Sequence, residues 1–239
     1  MIHRSRLPKM ATVTKRKARA EHRAPAVIAI IVALALYATL PSSFLPEIRY
    51  TVVVIGVLLL VPVVVLNPAR LSKQTPWSRV LSLSNAILLA VANQAALVQL
   101  LIELVNASKD DGPNLLFAAL QVWVTNVIVY ALLYWELDRG GPVARRHKAR
   151  EELDPADFRF PQDEDHDAIE EVAVRSSARS DWAPGYVDYL YFSSSNSMAF
   201  SPTDTMPLSH RAKILMGLEA FAGFVILAMV IARGVSLLG

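Results

Sequence analysis

Apolar residues fall in five long stretches almost free of charge: Ala24 to about Leu45, Tyr50 to Leu66, Val80 to Val105, Asn114 to Leu137 and Ile214 to Ala232. Crossing a hydrocarbon core takes about 20 helical residues at 1.5 Å rise each, so each stretch predicts a transmembrane helix. A different pattern stands before the last one. A short, polar, aromatic-led helix from Tyr186 to Met198 runs into a Pro-bounded hairpin from Phe200 to Leu208. That helix offers about 20 Å, less than a core of about 30 Å, and its second half is Ser193, Ser194, Ser195, Asn196 and Ser197.

Such a segment predicts a re-entrant dip. The expected fold class is an all-α membrane protein of about five transmembrane helices, with a re-entrant pore-like helix and hairpin before the last one. Backbone that is not helical survives at membrane depth only when buried in protein or lining a cavity, so the dip implies neighbouring subunits and a homo-oligomer. In the alternative, Tyr186 to Phe200 crosses fully as a short sixth span.

Composition supports the membrane assignment: 54% of the 239 residues are apolar and only 19% charged, which excludes an ordinary soluble domain. The charges divide the chain into a basic tail (1–23), four spans (24–137), a hydrophilic loop (138–182) and the pore-like terminal region (183–239). The tail carries Arg4, Arg6, Lys9, Lys15, Arg16, Lys17, Arg19 and Arg23 against Glu21. The positive-inside bias keeps it in the cytoplasm, and a juxtamembrane cluster of this kind favours anionic lipid over nucleic acid as its partner. The first apolar run is longer than a signal peptide core and reads as an uncleaved anchor. Four crossings then place the loop from Asp138 to Trp182 inside, as a solvated, mobile segment. Its acidic run, Asp163 to Asp167, lacks the glycine and terminal glutamate of a calcium loop. No metal or cofactor is expected, there is no cysteine, and no spacing supports an enzyme.

Polar residues inside the spans are patterned. On the third, Ser82, Asn85, Asn93, Gln99 and Glu103 fall within about 120° of arc, with Gln94 opposite; on the fourth, Asn114, Gln121, Thr125 and Glu136 share a narrower face. Two antiparallel helices can seam these stripes together, either as interhelical hydrogen bonds or as a water-filled path. Trp77, Trp123, Tyr130, Tyr134 and Trp135 include expected interfacial anchors, foremost the pair before Glu136. The last span carries one carboxylate, Glu219, with no basic residue three or four positions away, so its partner must come from another element. Ala228 and Ala232 on the same span suit close helix packing.

Tyr191-Phe192-Ser193, the spacing to Asp204, Pro207 and the apolar helix that follows resemble the pore helix, filter and inner helix of tetrameric potassium-channel-type pores. Laid over that filter, Ala199, Phe200, Ser201, Pro202, Thr203 and Asp204 match only at Asp204 and lack its glycines, so potassium selectivity of that type is not expected. The region is more similar to uncharacterised bacterial membrane proteins, including domain of unknown function 1345. The shared pattern is Asp188, Tyr191, Phe192, Ser193 and the Ser201-Pro202-Thr203-Asp204 hairpin. That likeness implies a multi-pass protein of the bacterial cytoplasmic membrane, and the channel pattern implies a tetramer. The functional expectation is an ion-channel-like cation or proton conduit. Ser201, Pro202, Thr203 and Asp204 form its hairpin, and Glu219, Glu103, Gln121, Asn93 and Asn196 are its intramembrane polar residues. The alternative is a non-conducting scaffold that uses a decayed pore fold for assembly.

Overall fold

A computed structural model describes residues 20–41, 46–73, 75–106, 112–199 and 204–238. The tail from Arg4 to Arg19 and the hairpin positions Ser201, Pro202 and Thr203 lie outside the described residues. Long helices dominate: α1 (Ala24–Ala38), α2 (Pro46–Leu66), α3 (Pro76–Asn106), α4 (Gly112–Leu137), α8 (Tyr186–Ala199) and α9 (His210–Leu238). Between α4 and α8 lie the short α5 (Pro142–His147), α6 (Glu170–Ala173) and α7 (Ser177–Ser180), and a strand, β1 (Phe158–Arg159), that pairs antiparallel with β2 (Met206–Pro207).

Among the described residues four helices are long and apolar enough to cross a membrane: Glu47–Leu66, Pro76–Asn106, Gly112–Gly140 and His210–Gly234. The chain is an all-α membrane protein on that ground. The first predicted span comes out shorter than expected. Helix α1 stops after 15 residues, where the Thr39 hydroxyl donates back to the Ala35 carbonyl and Pro41 follows. Proline restricts the residue before it away from helical angles, and this ends the helix well ahead of Leu45.

Helix α4 is the centre of the bundle. Eighteen of its 26 residues are buried, Thr125 to Glu136 without a break, so every side of its second half meets protein. It packs on α1, α3, α8 and α9. A helix can be so enclosed when its polar side chains find partners on the helices around it, as those of α4 do.

One end of the bundle is tied together by side chains. Arg23 donates to the Val63 and Asn67 carbonyls at the end of α2, satisfying groups that the helix leaves unpaired. Glu21 accepts from Trp135 Nε1 (3.2 Å) and from the Tyr186 amide (2.7 Å), joining the start of the described chain to α4 and α8. Arg211, in the first turn of α9, forks onto Asp157 and reaches the Leu137 carbonyl. Helix α8 therefore starts, and the chain returns for α9, at the same end of α4. The Leu208 amide on the Asp157 carbonyl (2.7 Å), the Ser209 hydroxyl on its carboxylate (2.5 Å) and the β1–β2 pair all fix that return. From there α8 and α9 run side by side in the same direction, both antiparallel to α4.

The loop from 138 to 182, whose composition predicts a solvated, mobile segment, buries part of its length against the end of the bundle. Asp138, Arg145, Asp157 and Phe158 are each no more than 2% exposed. Asp138 accepts from the Asp157 amide (2.7 Å) and the Tyr189 hydroxyl (2.5 Å), while Arg145 donates to the Trp135 and Asp138 carbonyls (both 2.7 Å). Phe158 and Phe160 pack edge to face with Tyr189 and Phe192 of α8. The buried charges, Asp138, Arg139, Arg145 and Asp157, are engaged with one another, with loop backbone and with helix ends, and the few aromatics supply a core. The chain turns into this cap through three successive positive-φ residues, Arg139, Gly140 and Gly141, of which only the arginine is strained.

Candidate functional site

Helix α8 turns Tyr189, Ser193, Asn196 and Ser197 inward, a stripe at helical spacing, while Val187, Tyr191 and Met198 stay exposed. It can lie close to α9 because residue 223 is glycine: a Cβ there would overlap the carbonyl oxygen of Ser197. The close contact of α9 is thus made at Gly223. Ala228 and Ala232, expected to serve that purpose, face outward.

Between α4, α8 and α9 sits the carboxylate of Glu219, with 0% exposure. Its partners come from elsewhere in the chain, as the spacing of basic residues required. Oε2 accepts from the Tyr134 hydroxyl and from Asn196 Nδ2, both at 2.6 Å, and Oε1 meets the Ser193 hydroxyl. Asn196 spends its second N–H on the Met216 carbonyl (3.1 Å). All the groups that hydrogen-bond Glu219 are neutral.

Counting protons shows what this cage can do. The Ser193 oxygen lies within hydrogen-bond reach of two acceptors, Glu219 Oε1 and the Val127 carbonyl (2.8 Å), but a hydroxyl has one proton to give. With the proton on Glu219, the carboxylate is ionised. With it on Val127, Oε1 faces a lone pair and the contact is complete only if Glu219 is itself protonated and donates. Turning one hydroxyl therefore accommodates both states of the carboxyl group, with every partner satisfied in each.

A polar line continues from the cage along α4. Tyr130 lies one turn from Tyr134, with ring centres 6.1 Å apart, and its hydroxyl accepts from Gln94 (3.2 Å). Asn126, a turn further, accepts from Asn93 (3.0 Å) and from Gln94 (3.4 Å). The expected seam between α3 and α4 thus exists with other members. Gln94, placed opposite the stripe by angle, joins it, while Gln121 donates to Thr39 (2.9 Å) and to the Leu36 carbonyl on α1. The reason is that α4 bears two polar stripes on different faces, Gln121, Thr125 and Glu136 on one and Asn126, Tyr130 and Tyr134 on the other.

Of the remaining predicted residues, Glu103 is half-buried toward the far end of α3, and Asp204 sits in an exposed turn away from the cage. Asn93 and Asn196 are buried and engaged. Tyr134 and Trp135, expected as interfacial anchors, are 0% and 4% exposed and belong to the core.

Glu136 forms a second buried carboxylate toward the tied end, with Ser82 as hydrogen-bond partner and Arg23, Arg79 and Arg145 nearby. It lines an internal cavity of about 20 Å³ with Arg23, Ser82 and Asn85. That is room for one water, and the unpartnered Asn85 Oδ1 and Arg23 Nε border it. Outside the spans, burial pushes the Glu21 carboxyl above the usual carboxylate range, against the pull of Arg145, the Tyr186 amide and Arg146. Among the described residues no cluster of three or more metal-ligating side chains occurs.

Asn126 was not marked by the sequence pattern; Tyr130 and Tyr134 were marked as interfacial anchors and Ser193 as part of the pore-helix pattern, none of them as a member of this polar line. The spacing of Asn126, Tyr130 and Tyr134 at i, i+4 and i+8 is the signal that could have found three of them. No family model, curated protein or solved structure matches the chain.

Proposed function

We propose that the protein is an ion-channel-like integral membrane protein in which Glu219 is the centre of a proton or small-cation conduit. The observation that carries this reading is the Ser193 hydroxyl held between Glu219 and the Val127 carbonyl, which lets the buried carboxyl group gain or lose a proton without orphaning a partner. Ionisable groups at membrane depth are costly and mark ion or proton paths where they occur. The line of Tyr134, Tyr130, Gln94, Asn126 and Asn93 extends polar contact away from the cage.

In this proposal α8 is re-entrant, entering and returning on the side of the basic loops, with the amino terminus cytoplasmic. The return of the chain at Leu208 and Arg211 to the same end of α4 supports that geometry over a short sixth span. The homo-oligomer, the bacterial cytoplasmic membrane and kinship with domain of unknown function 1345 belong to the same proposal, which assigns no catalytic step. The exposed face of α9, with Ile214, Leu218, Phe221 and Ile231 outward, gives lipid or a second copy a surface to cover.

A scaffold that conducts nothing is the competing reading. The small size of the cavities beside Glu136, about 20 and 30 Å³, favours it over an open aqueous pore, though not over proton transfer along hydrogen bonds. Full-length protein in liposomes loaded with a pH-sensitive dye decides between them. The expected result is dissipation of an imposed pH gradient that Glu219→Gln and Ser193→Ala abolish. Absence of proton, sodium or potassium flux under every gradient leaves the scaffold.

A further inference from the structure

Helix α8 ends at Ala199, while α4 and α9 on either side of it extend past that point. Beyond its end the space between them is a cavity of about 250 Å³, walled by Leu116 and Trp123 of α4 and by Ile226 and Val230 of α9. The exposed Leu120, Met198 and Leu227 form the outer edge, so the cavity opens sideways on the apolar surface of the spans. It falls just under the size range of small-molecule sites and shares their character, apolar walls with few polar groups.

A polar mark stands at the inner end. Ser197 is 5% exposed, and its hydroxyl lies over Gly223, 2.7 Å from where a Cβ would be. Among the described residues that hydroxyl has no hydrogen-bond partner. A buried donor in this state carries its full desolvation cost and calls for an acceptor. Apolar walls keep water from supplying one. The carbonyl of the same residue is turned onto Gly223, and the other polar side chain on the walls, Trp123, also has only a proton to give.

Depth and reach narrow the choice of partner. Gly223 and Trp123 fall near the middle of the apolar spans His210–Gly234 and Gly112–Gly140, so the inner end lies near the centre of a bilayer. Phospholipid ester carbonyls stay with the headgroups, about 15 Å away in a core about 30 Å thick. The chain's own connection does not serve either, because by Met206 it is back at β1. From Ala199 to Met206 it reaches about 25 Å at most, too little to follow the cavity out to Val230 and return.

We propose that this cavity binds a lipid-soluble quinone. A ring carbonyl, which can only accept, takes the proton of the Ser197 hydroxyl, the ring lies against Trp123, and the tail leaves between Leu120 and Leu227 into lipid. A plain hydrocarbon chain fills the same space but leaves Ser197 without a partner. The site is separate from the Glu219 cage, which engages α8 one turn earlier at Ser193, and it does not rest on conduction.

The test uses full-length protein in phosphatidylcholine nanodiscs, titrated with decylbenzoquinone, whose ring quenches tryptophan fluorescence. Decylbenzene is its counterpart without oxygen. The expected result is quenching with a saturable part that is lost in Trp123→Phe and needs about tenfold more quinone in Ser197→Ala, as the loss of one hydrogen bond requires. Decylbenzene should compete weakly, and equally in the parent and in Ser197→Ala, which shows that the walls are intact in the variant. Quenching that never saturates, that keeps its saturable part in Trp123→Phe, or that Ser197→Ala leaves unchanged overturns the site. Competition by decylbenzene as strong as the binding of the quinone also overturns it, since hydrocarbon alone would then fill the space.

Discussion

At the scale of single residues, Glu219 is stable where it lies because Tyr134, Ser193 and Asn196 surround its carboxyl group with hydrogen-bond partners. Removing the charge while keeping the shape should therefore be nearly silent for folding. In Glu219→Gln the new amide can donate to Ser193, which turns to Val127, while its oxygen still accepts from Tyr134 and Asn196. Glu219→Leu instead leaves the Tyr134 hydroxyl and an Asn196 N–H buried without partners, at about 1–3 kcal/mol for each. Thermal unfolding in detergent should place Glu219→Gln near the parent protein and Glu219→Leu several degrees below it. Equal losses in the two would mean that the cage is not closed as described. The sequence pointed to Glu219, since a lone acid in an apolar run is conspicuous, and it required a partner from another element. It did not name Tyr134 or Ser193 as that partner, because these residues lie 85 and 26 positions away and nothing local signals a contact across that distance.

At the scale of elements, the cage depends on how deeply α8 is pressed against α9, and Gly223 sets that approach. Gly223→Leu should push α8 outward and break the Ser193 and Asn196 contacts together, at an overpacking cost of about 1–3 kcal/mol before those losses are counted. Gly217, with nothing within 4 Å of a Cβ, is the control, and Gly217→Leu should not lower stability, since it only adds helix propensity. Hydrogen exchange along α8 is the sharper readout, since protection of its amides should fall in the first variant alone. The existence of α2, α3, α4 and α9 was legible from apolar runs, which burial and lipid both reward. The folded cap was not, because an excess of charge normally means solvation. Phe158, Phe160 and Trp182 are too widely spaced to form a period, and the pairing of Asp138, Arg139, Arg145 and Asp157 emerges only once the chain has turned.

For the whole molecule, the decisive question is on which side of the membrane the chain stands when it leaves α8. Pattern alone left a dip and a short crossing open, since a 14-residue helix is too short for an upright span and too apolar at its start for water. The fold brings Met206 and Pro207 against β1 and Arg211 against Asp157, which puts the start of α9 beside the loop from 138 to 182. Because the chain contains no cysteine, single introduced thiols report orientation without background. Ala178→Cys in the cap, Leu208→Cys before α9 and Glu47→Cys at the opposite end all occupy exposed positions. In sealed vesicles an impermeant maleimide should label the first two from one side and the third from the other. Labelling of Leu208→Cys together with Glu47→Cys would mean that α8 crosses the bilayer, and a conduit that relies on a half-depth helix beside Glu219 would then have no structural basis.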